Sequence, residues 1–152
     1  MKRLNEWFEE YSVSHQNQTN QYIHYICVPA IFLSIVGLIM CIPAYFLEDL
    51  LKGDHPVFEN WALVVLIVVL IFYFNLSIKM GLMMAVFGFL CLVINHLISL
   101  IAPLWIVSLA IFFLAWIGQF YGHKIEGEKP SFLKDLQFLL IGPAWVLYKL
   151  FK

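Results

Sequence analysis

Residues 61–77 read WALVVLIVVLIFYFNLS, an apolar run without a charged side chain, and two more follow closely: GLMMAVFGFLCLVINHLISLI at 81–101 and PLWIVSLAIFFLAWIGQFY at 103–121. As α-helices rising about 1.5 Å per residue, stretches of this length approach or match the roughly 30 Å hydrocarbon core of a bilayer. Upstream, beyond a polar loop at 48–60, a further apolar stretch runs from Tyr22 to Leu47 and carries Pro29 and Pro43, which either kink it or mark its end. Composition agrees. The chain of 152 residues is 62% hydrophobic and 12% charged, where a soluble domain is about half apolar and about a quarter charged. So much apolar surface needs lipid, which excludes an ordinary soluble domain.

The flanks differ from the spans. In residues 2–13, Leu4, Trp7, Phe8 and Tyr11 recur at helical spacing with Glu6, Glu9 and Glu10 opposite, the pattern of a helix lying in the membrane interface. Near the other end, Gly142-Pro143 divides the last apolar region into pieces too short to cross alone, so an interfacial or re-entrant broken helix is expected there. The fold expected is therefore all-α: an integral membrane bundle of about four transmembrane helices in one multi-pass domain, with tight connections near Lys79 and Pro103 joining antiparallel neighbours. No cleavable signal peptide is expected, since a polar, charged stretch precedes the first apolar run and no small-residue cleavage site follows it. Cys27, Cys41 and Cys91 lie in apolar runs without CxxC spacing and read as small core residues.

Net charge is -1 and the cations are scattered singly, which argues against nucleic acid as a partner. Lys2, Arg3, Lys79, Lys124, Lys129, Lys134, Lys149 and Lys152 fall on one side of the spans and Lys52 alone on the other, so both termini should be cytoplasmic. That topology sorts the five histidines. His15 and His24 at the start of the first span and His123 at the end of the fourth meet at the cytoplasmic face. His96 lies more than ~20 Å of helix rise away and His55 sits in the opposite loop, so both read as ordinary side chains. Asn20 and His24 stack four apart on one helical face, and Gln119, His123 and Glu126 share another. Imidazole is the commonest protein ligand for iron and zinc. The three histidines are thus candidate ligands, with Asn17, Asn20, Gln119 and Glu126 placed to fix imidazole tautomers by hydrogen bonding. The spacing matches no standard zinc motif. Trp61, Trp105 and Trp145 suit a membrane-interface belt better than a ligand cage.

Two segments carry a family resemblance. His15-x-Asn17-x-x-Asn20-x-x-Ile23-His24-x-x-x-x-Pro29 and Gly118-Gln119-Phe120-x-Gly122-His123-x-x-Glu126-Gly127-x-x-Pro130 resemble the membrane-bound, iron-dependent 2-hydroxy fatty acid dioxygenases of the route from phytosphingosine to odd-chain fatty acids, in a prokaryotic-like form. Asp135-Leu136-Gln137 leading to Gly142-Pro143 extends the likeness almost to the C-terminus, Ser131 replaces an expected Ala, and the middle spans match in hydropathy only. The resemblance implies an Fe(2+) oxidoreductase of lipid metabolism whose iron ligands are His15, His24 and His123, with Asn20, Gln119 and Glu126 as catalytic helpers. Its substrates would be a 2-hydroxy fatty acid and O2, and its products the acid one carbon shorter, CO2 and water. It would sit in membrane lipid, in a bacterial inner membrane or the ER membrane of a eukaryote. Two other classes compete. The diiron lipid desaturases and hydroxylases also gather histidines at a membrane face, but need more than the five present here. A non-catalytic structural or transport protein would use its polar residues for helix packing.

Overall fold

Inside a bilayer no water is at hand for backbone N–H and C=O groups, and an α-helix pairs them within itself. A computed structural model describes residues 4–13, 15–51, 55–127 and 138–151, and all regular structure among them is α-helical. The helices are α1 (Leu4–Val13), α2 (Gln18–Met40), α3 (Tyr45–Leu51), α4 (Trp61–Leu76), α5 (Ile78–Ser99), α6 (Leu104–Glu126) and α7 (Ile141–Leu150). Three of them, α2, α5 and α6, are long and apolar enough to cross a membrane. α4, at 16 residues, is about 24 Å long, so the expected four spans are three long helices and one shorter apolar helix. On α6, Phe113, Leu114 and Ile117 are all exposed. A row of large apolar side chains of this kind is stable only against another apolar phase.

The boundaries depart from expectation at three places. α2 begins at Gln18, before Tyr22, and stops at Met40, because the proline at 43 cannot continue a helix. Pro29 lies within it. The chain then turns helical again as α3, which takes up part of the expected 48–60 loop and leaves Tyr45 and Phe46 exposed. Gly142-Pro143 does not break the last helix but opens it: both residues fall in the first turn of α7, where a missing proline N–H costs no intrahelical hydrogen bond. Pro130, Ser131 and Asp135-Leu136-Gln137 lie outside the described residues, as do Lys2, Arg3, Lys52, Lys129, Lys134 and Lys152.

The chain forms two compact units, Met1–Phe32 with Ile111–Lys152 and Leu33–Ala110. In the second, α4 and α5 pack along each other through the single extended residue Ser77. Gly81 and Gly88 of α5 allow the approach, since a Cβ at Gly81 would strike the Phe74 ring and one at Gly88 would sit 3.2 Å from Leu66. Asn95 Nδ2 donates to the carbonyls of Leu33 (3.0 Å) and Cys91 (2.9 Å), joining α5 to α2. Gly37 leaves room for Asn95 Oδ1 and the Ser108 hydroxyl. Polar side chains here hold apolar helices together, as is usual in lipid. His96 is only partly buried, at the last turn of α5, and the helix-joining contact is made by its neighbour Asn95. The first unit carries His15, His24 and His123.

Candidate metal centre

The amphipathic face of α1 buries Phe8 and Tyr11, and α7 packs against that helix. Trp145 Nε1 donates to the Ser12 hydroxyl (3.2 Å), and the Trp145 ring lies 5.2 Å from that of Tyr11. Just past the end of α1 the His15 ring stacks on Tyr11, with centroids 4.2 Å apart and planes 9° from parallel. Its Nδ1 donates to the Tyr11 carbonyl at 2.7 Å. Inside α2, His24 Nδ1 donates in the same way to the Asn20 carbonyl at 2.9 Å. A carbonyl only accepts, so in both neutral rings Nδ1 carries the proton and Nε2 presents a lone pair.

His123 arrives on α6, which approaches α2 closely because Gly118 and Gly122 face it. A Cβ at Gly118 would come within 2.6 Å of Cys27 Sγ, and one at Gly122 would run into Asn20 Oδ1 and reach His24 Cε1 at 3.4 Å. Two glycines four apart are the small-residue device by which apolar helices come close. The three imidazoles then meet nearly edge to face: His15–His24 centroids are 4.2 Å apart, His24–His123 5.0 Å and His15–His123 5.4 Å. All three are buried, at 3%, 1% and 4% exposure. One ring nitrogen from each lies within 4.8 Å of the others. An ion bonded at about 2.1 Å holds its nitrogens about 3.0 to 3.4 Å apart, so small side-chain adjustments close the site. Among the described residues this is the group fit to hold a metal, and neither His55 nor His96 belongs to it. Two rings with fixed tautomers suit iron(II) or zinc, and three protein ligands leave coordination positions open.

The expected helpers occupy different places. Asn17 caps α2, its Oδ1 accepting from the Thr19 N–H (2.9 Å) and Asn20 N–H (3.4 Å). Asn20 is fully buried beside Gly122 and donates through Nδ2 to Glu126 Oε2 at 3.0 Å. Gln119 is buried and lines a small cavity of about 20 Å³ with Tyr11, Val28, Ile31, Trp116 and Gly142; none of the three histidines is in that lining. For His15 and His24, backbone carbonyls one turn earlier do the tautomer-fixing expected of the amide and carboxylate side chains. Trp145 is another correction: at 1% exposure it is packed within 5.8 Å of His15 and 5.9 Å of Tyr25, unlike the exposed Trp105. Tyr11 and Trp145 went unrecognised as site residues; the spacing of Tyr11 to His15, four apart, was the available signal for the first. All three cysteines are free thiols, with Cys91 buried, Cys27 half-buried and Cys41 exposed against the core placement expected for it.

A family model described as 2-hydroxy-palmitic acid dioxygenase Mpo1-like matches residues 1–152. The chain belongs to the Mpo1-like family. The resemblance carried by the His15–Pro29 and Gly118–Pro130 motifs thus extends along this Mpo1-like chain, including middle spans that the motifs did not reach. No curated protein and no solved structure matches it.

Proposed function

We propose that this protein is an Fe(II)-dependent dioxygenase that shortens a 2-hydroxy fatty acid by one carbon, with His15, His24 and His123 as the iron ligands. The observation that carries the reading is the convergence of three buried imidazoles, two with Nδ1–H tied to a backbone carbonyl. The family description, which names a 2-hydroxy-palmitic acid dioxygenase, supplies the substrate class. The balance is one hydroxy acid plus O2 giving the shorter acid, CO2 and water, so the substrate itself supplies all four electrons.

Bound iron would supply the redox chemistry by which O2 reacts with a chelating hydroxy acid. The chain's own residues do the rest. The carbonyls of Tyr11 and Asn20 hold protons on His15 and His24 Nδ1, keeping both Nε2 atoms available as donors. Tyr11 and Trp145, from α1 and α7, cover the His15 side and exclude water. Gln119 turns its buried side chain to a cavity with room for about one water, which Tyr11 also lines. A fatty acid keeps its tail in lipid and its head at the interface, and the excess of cations in the segments around α1, α6 and α7 supports a cytoplasmic face for that interface.

The test is a product assay on full-length protein with 2-hydroxypalmitate under O2. The expected outcome is pentadecanoic acid and CO2 in equal amounts, lost on chelation and restored by ferrous iron. Release of a product with the chain length unchanged, or turnover insensitive to chelation, would refute the assignment.

A further inference from the structure

Glu126 is placed to act on the site without touching an imidazole through any of its four hydrogen bonds. Its Oε1 accepts the backbone N–H groups of Gln16 (2.9 Å) and Asn17 (3.1 Å), while Oε2 accepts that of Asn17 (2.9 Å) and the side-chain amide of Asn20 (3.0 Å). Residues 16, 17 and 20 all lie between His15 and His24. Glu126 itself is the last residue of α6, three positions after His123 and so on the same face. Gly127 follows in the left-handed region, at φ 80°, and ends the helix there. One carboxylate therefore bridges the helix end that bears His123 to the turn that bears His15 and opens α2.

We propose that Glu126 is a positioning residue: it clasps the N-terminus of α2 and thereby sets the spacing of His15 and His24 against His123. The inference rests on reading the three histidines as one metal site. The physical reasons are two. The first N–H groups of a helix have no partner within it and carry the positive end of the macrodipole, so an anion there is favoured. Hydrogen bonds to a carboxylate are also stronger than neutral ones, and here both oxygens are engaged, which ties a loop without helical pairing to a rigid helix end. Asn17 caps the next N–H groups of α2, so carboxylate and cap together satisfy the start of the helix. A direct ligand role for Glu126 is disfavoured, since the nitrogens that converge belong to the three histidines alone.

The experiment uses metal-free, full-length protein in detergent, probed with Co(2+) and by amide hydrogen exchange. In Glu126→Gln one acceptor oxygen becomes an NH2 facing N–H donors. Exchange in residues 15–20 should then quicken tenfold or more while that of 61–76 stays unchanged, a readout independent of any metal. Co(2+) affinity should fall by roughly 10- to 100-fold, with the absorption bands of the bound ion unmoved because the ligands are the same. Glu126→Asp keeps the charge but shortens the reach, so its affinity should lie between wild type and Glu126→Gln. Unchanged affinity or unchanged exchange in Glu126→Gln would overturn the clasp, as would shifted bands, which would mark Glu126 as a ligand. Failure of the wild-type protein to bind Co(2+) would overturn the metal site and the clasp with it, and is thereby distinct from a failure of the clasp alone.

Discussion

At His15 a single residue, Tyr11, holds both one ring nitrogen and the ring face. Nδ1 donates to the Tyr11 carbonyl, the face lies on the Tyr11 ring, and Nε2 is buried, with the His24 ring centred 4.2 Å from that of His15. The gathering of His15, His24 and His123 could be read from sequence, because the topology expected there brings the two ends of the sequence to one face. The carbonyl partners could not, because any helical residue has a carbonyl one turn earlier and sequence does not say which side chain turns back to it. Trp145 was misread for a related reason: an aromatic near a chain end is equally suited to an interface belt or to a small core. These contacts make a prediction about Tyr11. Tyr11→Phe keeps both the ring and the carbonyl and should keep metal content within about twofold, while Tyr11→Ala should lower stability by about 3 to 5 kcal/mol. Metal per chain and thermal melting of the two variants check this, and equal effects of both would show that the hydroxyl, not the stack, matters.

Helices are legible in the sequence where hydrophobic runs are long, and their ends are not where prolines punctuate them. α4, α5 and α6 lie close to their expected positions, and the amphipathic face of α1 is the one that Leu4, Trp7, Phe8 and Tyr11 mark. Pro43 ends α2 and Pro143 opens α7, opposite outcomes for one residue type, because a proline is tolerated in a first turn and nowhere later without loss of a hydrogen bond. The glycines of α6 were visible as motif matches, yet their purpose needed the partner helix. Gly122→Ala places a methyl against buried Asn20 Oδ1, which is itself held by the bond from its amide to Glu126, so α6 must move away. The expected loss is about 1 to 3 kcal/mol of stability together with a severalfold drop in metal affinity. Gly118→Ala meets the end of the Cys27 side chain, which can rotate, and Ile23 at an ordinary 3.9 Å, and should be the milder change. Melting temperature and metal affinity of the two variants, measured side by side, test this order; a milder Gly122→Ala would contradict the packing described.

Over the whole molecule, the described residues are helical with three helices long and apolar enough to cross a membrane, and the Mpo1-like family match covers residues 1–152. The span count was less legible than the class, since α4 is apolar throughout but only 16 residues long, and length rather than hydropathy separates it from α2, α5 and α6. The five histidines divide between the two compact units, three in the one formed by the chain ends and His55 and His96 in the other. That division gives the most direct measurement: metal content per chain for wild type and all five single His→Ala variants, purified without oxygen. The account predicts about one iron per wild-type chain, near-complete loss in His15→Ala, His24→Ala and His123→Ala, and wild-type content in His55→Ala and His96→Ala. Iron retained by all of the first three, or lost equally from all five, would contradict it.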